Sequence, residues 1–438
     1  MSCFSGKMAI YKNLSIDRFD GNNLNASAFF LSHCHTDHMV GLDSEHLIHG
    51  LKQKPATRLY VSEITEILLL SDPRYTILKK YVQVLPVEEP QLISFRVQSH
   101  TEEVTVTLLP AAHCPGSVMF LFEGSEGTAL YTGDFRLPKG SGPRMKFLHS
   151  GSGMLKVIDH IHVDTTFCVP NAFYIPSREQ CLEALRGLVG DWINKGAQHV
   201  VRINMGAKYG YEYLYEALYH LFKKKIYCSR KQHYKCLPEL ANILTDDPKN
   251  SQIYACYKTE KVKEKGTNRM LEGDDKVSVG LAGLKFLYIT LSTLYFTHEA
   301  KPEDVKLQIS DNHYRLCFSF HSSLAEVCDF LSYLRPKFIH ANVIPSSGET
   351  FKSVEDRLKN LCFKTIATSA SYGHDKLEIY GTYRPFGKAV SSRKSFDIKD
   401  VGEKSKSLQK KSYALISFDN DTSDEELTYG PRKRKRCS

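Results

Sequence analysis

Phe29-Phe30-Leu31-Ser32-His33-Cys34-His35-Thr36-Asp37-His38 is the stretch whose reading decides the fold. An apolar run with strand character empties into three histidines and an aspartate within six positions. While the chain is extended, alternate side chains share a face, so His33, His35 and Asp37 point one way and His38 follows at the next position. Imidazole nitrogens and a carboxylate oxygen suit a zinc-class ion. One loop thus offers ligands to two adjacent metal positions.

Working outward, residues 14–17 read as a short strand closing on Asp17, and 28–31 as the strand that delivers the histidine loop. Residues 58–61 look like another strand, with Ser62 capping a helical run over 64–70. Residues 104–109 alternate with period two, which predicts a half-buried strand, and they run into Pro110-Ala111-Ala112-His113-Cys114. Residues 118–122 and 128–132 flank Gly124-Ser125-Glu126-Gly127, a hairpin signature, and the second of them delivers Gly133-Asp134. His113 and Asp134 therefore lie, like the histidine loop, where a strand stops, and rigid strand ends are a sound way to preorganise a metal site. Residues 160–167 are again strand-like and include Asp164.

The texture then changes. Pro176-Ser177-Arg178-Glu179 opens a helix to about 192 with Ser177 as N-cap, followed by a strand at 199–203, a helix at 211–222, a strand at 226–228 and a short helix at 238–244. This alternation predicts a separate α/β layer over 157–315, within which 258–276 is a charged loop of low structural content. Residues 314–320 read as a strand delivering His321-Ser322-Ser323, 324–334 as an amphipathic helix stopped by Pro336, and 338–344 as the last clear strand. Residues 386–438 turn to Ser, Lys and Asp and predict a disordered tail. Two features interrupt that tail. Residues 413–418 have the look of a short partner-docking segment, and Arg432-Lys433-Arg434-Lys435-Arg436 reads as a nuclear address or a nucleic-acid contact.

A length of 438 residues exceeds one ordinary domain, and 42% apolar with 24% charged residues is a globular balance. The formal charge of +9 leans towards a polyanionic partner such as nucleic acid. Twelve cysteines without a regular framework, with Cys34 and Cys114 beside candidate ligands, fit a reducing compartment. Residues 1–8 lack the apolar core of a secretory signal and no uncharged apolar run approaches membrane-spanning length, so the expectation is an intracellular protein with no membrane partner.

Taken together, His33-x-His35-x-Asp37-His38, His113 and Asp134 form a set that resembles the metallo-β-lactamase superfamily. Asp17, Asp164 and His321 occupy the places of the extra acidic and histidine positions of its β-CASP nucleases. Ser15-Ile16-Asp17-Arg18-Phe19, Tyr131-Thr132-Gly133-Asp134-Phe135-Arg136 and Cys317-Phe318-Ser319-Phe320-His321-Ser322-Ser323 are similar to the DNA-directed branch, and the likeness covers roughly residues 1 to 370. The resemblance implies an α/β fold: an αββα sandwich built from 1–156 and 316–385, interrupted by a β-CASP cap at 157–315. It implies that His33, His35, His113 and Asp134 hold a first ion, Zn2+. Asp37 and His38 then offer a weaker second divalent position (Zn2+, Mn2+ or Mg2+) bridged by Asp134. Asp17 would fix a histidine tautomer or the loop, and His321, oriented by Asp164, would contact the scissile phosphate or protonate the leaving oxygen. In RNA-processing relatives a further histidine completes the second position; here Val343 is its counterpart, with His340 close by.

Ser177, Arg178 and Lys208, with Ser322 and Ser323, are candidate substrate contacts, because cations and a helix N-terminus suit phosphate; an ordinary capped helix explains Ser177 equally well. Tyr209, Tyr211 and Tyr213 either stack on bases or pack in the core. Vertebrate members of the branch carry a His/Cys zinc site in the cap; its aligned positions here are Tyr227, Tyr254 and Cys256, so no structural zinc is expected, with Cys228 and Cys236 keeping the alternative open.

The residues by themselves reach a metal-dependent hydrolase with a basic tail. A phosphodiester is attacked slowly because the nucleophile is weak and the transition state gathers charge, and a metal answers both needs. The resemblance implies more: a metal-dependent DNA nuclease that opens hairpins and trims overhangs endonucleolytically, with 5′-3′ exonuclease action as a further mode. Its substrates would be hairpins, overhangs and single/double-strand junctions. Its place would be the nucleus, in double-strand-break repair by non-homologous end joining, beside the DNA-dependent protein kinase and the DNA ligase IV machinery. An RNA-processing β-CASP nuclease, a small-molecule metallo-hydrolase and a non-catalytic DNA-binding scaffold are the alternatives. The large cap and the Asp164 and His321 pair weigh against the second of these.

Overall fold

Period-two alternation builds two facing sheets. In the computed structural model, which describes residues 2–257, 262–263, 270–271, 283–298 and 304–363, the strands Leu14–Ile16, Ala28–Phe30, Leu59–Val61 and Val82–Val84 form a four-stranded parallel sheet. A six-stranded sheet runs in the order Phe338–Ala341, His160–Val163, Gly127–Tyr131, Val118–Gly124, His100–Pro110, Gln91–Val97, parallel across its first two pairings and antiparallel across the rest. Ile16, Phe30 and Tyr60 of the first sheet meet Val104, Val106, Leu108, Phe120, Phe122 and Tyr131 of the second in one apolar cluster. The Phe30 ring stacks on Tyr60 at 5.1 Å and meets Phe120 and Phe122 edge-on at 5.3 and 5.1 Å. Truncating such a ring removes about 3–5 kcal/mol, a large share of a domain's stability.

The alternate residues of both sheets face outwards and are covered in turn. Phe29, Leu31, Leu59 and Val61 pack with Leu47 and Leu51 of the helix Glu45–Gln53 and with Leu68 and Leu69 of the helix Glu63–Ser71. Met119, Leu121, Leu130, Ile161 and Val163 pack beneath the helices Leu324–Leu334 and Phe351–Phe363. The layers are therefore helix, sheet, sheet, helix, with both faces of every central strand buried.

A seven-stranded sheet stands apart from these layers, in the order Leu244–Thr245, Ile226–Cys228, Ile253–Tyr257, His199–Met205, Lys285–Ser292, His313–Cys317, Lys306–Ser310. Its pairings are parallel except the last. The helices Arg178–Ile193 and Glu212–Phe222 share its core. Ser177 caps the first of these in a reciprocal capping box with Gln180, as the sequence suggests.

Four sequence expectations are revised. His160–Val163 hydrogen-bonds inside the six-stranded sheet, so a cap beginning at 157 would cut through that sheet. The strand expected over 314–320 is His313–Cys317, and Phe318 to Phe320 leave it to approach the metal-ligand loops; the strand expected over 338–344 ends at Ala341. Inside the 258–276 loop, Val262–Lys263 pairs antiparallel with Met270–Leu271. The expected tail, with its 413–418 segment and its 432–436 basic cluster, lies outside the described residues. Among the described residues no helix is long and apolar enough to cross a membrane.

Candidate metal centre

Each chemically distinctive side chain sits just past the end of a strand. The histidine loop follows Ala28–Phe30, His113 follows His100–Pro110, Asp134 follows Gly127–Tyr131, Asp164 follows His160–Val163 and His321 follows His313–Cys317. Gly133 has a φ of +53°, and a Cβ there would stand 2.9 Å from Ser32 Oγ; glycine lets the Asp134 turn approach the histidine loop. His33, His35, His38, His113, Asp134 and His321 are all buried.

The partners of the imidazoles fix how they face. His35 Nε2 donates to the Tyr209 carbonyl (3.3 Å) and His113 Nδ1 to the Phe320 carbonyl (3.2 Å). A carbonyl only accepts, so those nitrogens carry the hydrogen and the opposite ring nitrogens carry lone pairs. His38 Nδ1 donates to Asp17 Oδ2 at 2.9 Å. The Ser32 hydroxyl also donates to Asp17, so towards His33 Nδ1, 2.9 Å away, it accepts. The remaining nitrogens turn to one place. Asp134 Oδ2 lies 3.2 Å from His38 Nε2, 3.6 Å from His113 Nε2 and 3.7 Å from His33 Nε2. His33 Nε2 and His38 Nε2 are buried without a hydrogen-bond partner; the 3.2 Å approach of Asp134 to His38 is close but off hydrogen-bond geometry.

This donor set fits a divalent ion. His113 Nε2 and His35 Nδ1 stand 3.0 Å apart with both hydrogens on the far sides of their rings, so two lone pairs face each other. That contact repels unless a cation lies between, and two nitrogens bound tetrahedrally to one zinc-class ion stand about 3.3 Å apart. Burial drives His33 and His113 far below the ordinary imidazole range, and burial first brings His35 down to about 4, which keeps all three neutral and able to ligate. His38 goes the other way: burial pulls it down, but Asp134 and Asp37 outweigh burial and raise it. His113, Asp134 and His321 bring ligand atoms within 4.8 Å of one another, as do His33, His35, His113 and Cys114, and Asp17, His33 and His38.

Asp17 has a left-handed backbone, φ +53°, and its carboxylate takes the Ser32 amide (2.7 Å), the Ser32 hydroxyl, His38 Nδ1 and the Tyr131 hydroxyl (2.9 Å). An aspartate tolerates that backbone better than most residues, and the four bonds hold it there. Asp164 accepts from His321 Nδ1 at 2.7 Å and, through its other oxygen, from the Thr166 amide and hydroxyl. Burial alone would raise its carboxyl, but the His321 ring outweighs that and lowers it.

Asp37 is the most open of the candidate ligands: its side chain is 20% exposed, and Oδ2 stands 3.9 Å from His38 Nε2 and accepts the Ser2 amide. The candidate substrate contacts lie around the centre and have partners in the protein. Ser177 caps its helix, and Arg178 turns inward to donate to the carbonyl of Ala112, next to His113. Lys208 stands 3.9 Å from Asp72 and over the Tyr209 ring. The Ser322 hydroxyl donates to Phe135 O, and Ser323 caps Leu324–Leu334. Tyr209 and Tyr211 are buried and Tyr213 partly so, which is core packing. Tyr227 and Tyr254 pack ring to ring at 5.0 Å in a small cluster with Val200 and Cys256. Cys34 is a buried thiol pushed up to about 12 by burial.

Several participants escape sequence reading: the carbonyls of Tyr209 and Phe320, the Ser32 and Tyr131 hydroxyls, and Arg136. That buried guanidinium donates to the carbonyls of Ser319, Ile175 and Pro176, tying the His321 turn to the start of the cap helix. Carbonyls leave no residue-type signal, and only position beside His33 and Asp134 pointed at the others.

His340 goes elsewhere. Its Nε2 lies 2.9 Å from His160 Nδ1 and its ring stacks on His162 at 4.5 Å, in the strand pair His160–Val163 and Phe338–Ala341. Val343 exchanges backbone bonds with Thr165 Oγ1. Burial first, then neighbouring histidines, brings His162 down to about 3 and His340 to about 4. Both folded values lie below the unfolded value near 6.5, so the unfolded chain takes protons more readily. Stability is full above that pH and falls as pH drops towards 4. His340→Gln is therefore expected to show a shallower loss of urea midpoint between pH 6.5 and 4.5 than the wild type; equal slopes would contradict this.

Comparison with known proteins adds family context. Residues 238–347 match the family model for DRMBL, the DNA repair metallo-beta-lactamase. The chain is 42% identical over 395 residues to Protein artemis of Mus musculus, covering 90% of this chain and 54% of that protein. It is 42% identical over 396 residues to Protein artemis of Danio rerio, covering 90% and 60%. It is 32% identical over 320 residues to 5′ exonuclease Apollo of Gallus gallus, covering 73% and 58%. The chain thus spans little more than half the length of these curated relatives.

Proposed function

We propose that this chain is a DNA repair metallo-β-lactamase, a metal-dependent nuclease that cuts phosphodiesters in DNA hairpins, overhangs and single/double-strand junctions. The observation that carries this reading is the convergence of His33, His35, His38 and His113 nitrogens with Asp134 on one buried point, each ring held from behind. The sandwich comprises the chain up to Asp164 and again from Phe318, and the cap lies between.

His33, His35, His113 and Asp134 would hold a first ion, Zn2+, and Asp37 and His38, with Asp134, would offer a second, weaker divalent position. An ion bound there makes water acidic enough to attack near neutral pH and screens the charge gathering on phosphate oxygens. The protein does the rest. Tyr209, Phe320, Asp17 and Ser32 keep the imidazoles in their ligating tautomers. Asp164 holds the Nδ1 hydrogen of His321, so a proton carried at Nε2 is presented to the leaving oxygen while the carboxylate steadies the imidazolium. Lys208, next to Tyr209 whose carbonyl holds His35, would meet phosphate by exchanging its contact with Asp72.

Hairpin opening and overhang trimming in end joining are what the resemblance of the motifs implies, and 5′-3′ exonuclease action is a second mode suggested by the likeness to 5′ exonuclease Apollo. The basic cluster at 432–436, which reads as a nuclear address or a nucleic-acid contact, supports a nuclear location, and the resemblance of the motifs implies the DNA-dependent protein kinase and the DNA ligase IV machinery as partners. DNA is favoured over RNA because the resemblance makes Val343 the counterpart of the histidine that completes the second position in RNA-processing relatives, and His340 is engaged with His160. Matched DNA and RNA hairpins, offered to the same preparation, test this: faster RNA cleavage would move the chain to the RNA-processing reading.

A further inference from the structure

The first residues of the chain cross the metal centre as an anchored strap. Ser2 N–H donates to Asp37 Oδ2 at 2.9 Å, and Cys3 N–H to the Asn342 carbonyl at 3.1 Å. Phe4 is buried, its ring 4.9 Å from Tyr131 and 5.5 Å from His162. The Ser5 carbonyl accepts from the Asn23 amide side chain, and the Gly6 carbonyl from Ile16 N–H. Gly6 has a φ of +91°, and a Cβ there would stand 2.6 Å from Arg18 Cβ and 2.7 Å from Asn23 Oδ1, so the strap's turn demands glycine. Ala9 N–H closes the segment on His162 Nε2 at 3.1 Å. Five anchors spread over residues 3–9 thus end on a single donor aimed at one carboxylate.

That carboxylate is the one in need of support. The candidate imidazole ligands are buried and held from behind by a carbonyl, a hydroxyl or an acid, and Asp134 is buried, whereas Asp37 is partly exposed. A carboxylate that can turn must be ordered when it binds an ion, and loss of an outer partner of a metal ligand costs typically 10–100-fold in affinity.

We infer that residues 2–6 are a positioning strap whose Ser2 N–H fixes the Asp37 carboxylate for the second divalent ion. The affinity of that position is then set by a backbone donor far in sequence from the ligand loop. This rests on the reading of Asp37 as a ligand of the second position.

The test uses the full chain with Ser2→Pro, which deletes the N–H, and Ser2→Ala, which keeps it. Mn2+ is titrated into protein already holding zinc, and bound Mn2+ is followed by electron paramagnetic resonance. The strap predicts one Mn2+ per wild-type chain, binding about 10-fold weaker or worse in Ser2→Pro and within about twofold of wild type in Ser2→Ala. Zinc content and melting temperature are expected to be equal in all three. Wild-type Mn2+ affinity in Ser2→Pro would overturn the strap alone. A fall in zinc content or melting temperature that accounts for the Mn2+ loss would make the segment a packing element, which also overturns it. A wild-type chain that takes up no second ion would overturn the second position and the strap together.

Discussion

Asp134→Asn is expected to leave the fold intact and to lower phosphodiester cleavage by on the order of 10⁴-fold or more, the scale of loss when a group on which a whole site depends is removed. The reason is positional. One oxygen, Asp134 Oδ2, stands 3.2 to 3.7 Å from nitrogens of His38, His113 and His33, so in the proposed site it would serve both metal positions at once. An asparagine amide keeps the shape and gives up the negative charge that a pair of divalent ions requires. Zinc content by mass spectrometry should fall with activity. A variant that retains its full metal complement and more than about a tenth of wild-type activity would remove Asp134 from the centre, on the same scale of loss.

His321→Ala is expected to lower turnover by about 10² to 10⁴-fold while zinc stays bound, because a positioned proton donor contributes that much to a displacement. His321 lies against His113, ring centroids 4.9 Å apart, and its Nδ1 is committed to Asp164. Asp164→Asn removes the orienting charge and is expected to cost about 10- to 100-fold. The two act as a unit, so the double variant should be little worse than His321→Ala alone. Additive losses would show that Asp164 works through another group, the Thr166 turn being its other partner. Loss of zinc in His321→Ala would instead make His321 a ligand.

What was readable in the sequence was whatever side-chain type and local spacing encode. His33, His35, Asp37 and His38 are neighbours in the chain, and His113 and Asp134 each follow an alternating strand, so their convergence needs only strands that end on the same side. The strand at 118–122 was likewise visible as one side of a hairpin, but its continuous apolar run does not say which residues face which layer; packing puts Phe120 and Phe122 between the sheets and Met119 and Leu121 under the helices. The strands Ile253–Tyr257 and Lys285–Ser292 were missed: the first is buried throughout and so shows no period-two alternation, although Asp246 to Ser251 offer a turn signal before it. Asp17 was recognised as a supporting acid, yet nothing local announced that one left-handed aspartate would hold both His38 and, through Ser32, His33. His340 shows the limit from the other side. Its type and place suggested a metal, but strand pairing with His160–Val163 turns it onto His160 and His162. The carbonyls of Tyr209 and Phe320, and the Ser2 amide on Asp37, are backbone groups that tertiary structure alone brings into place.

The most direct test is the fate of a 5′-labelled DNA hairpin with a short 3′ overhang, incubated with the full chain in the presence of zinc, manganese or magnesium and resolved at single-nucleotide level. Internal cuts at or beside the hairpin tip, present with the wild type and absent with Asp37→Asn, are the predicted result. An intact hairpin after incubation with wild-type chain that carries its full metal complement would contradict it.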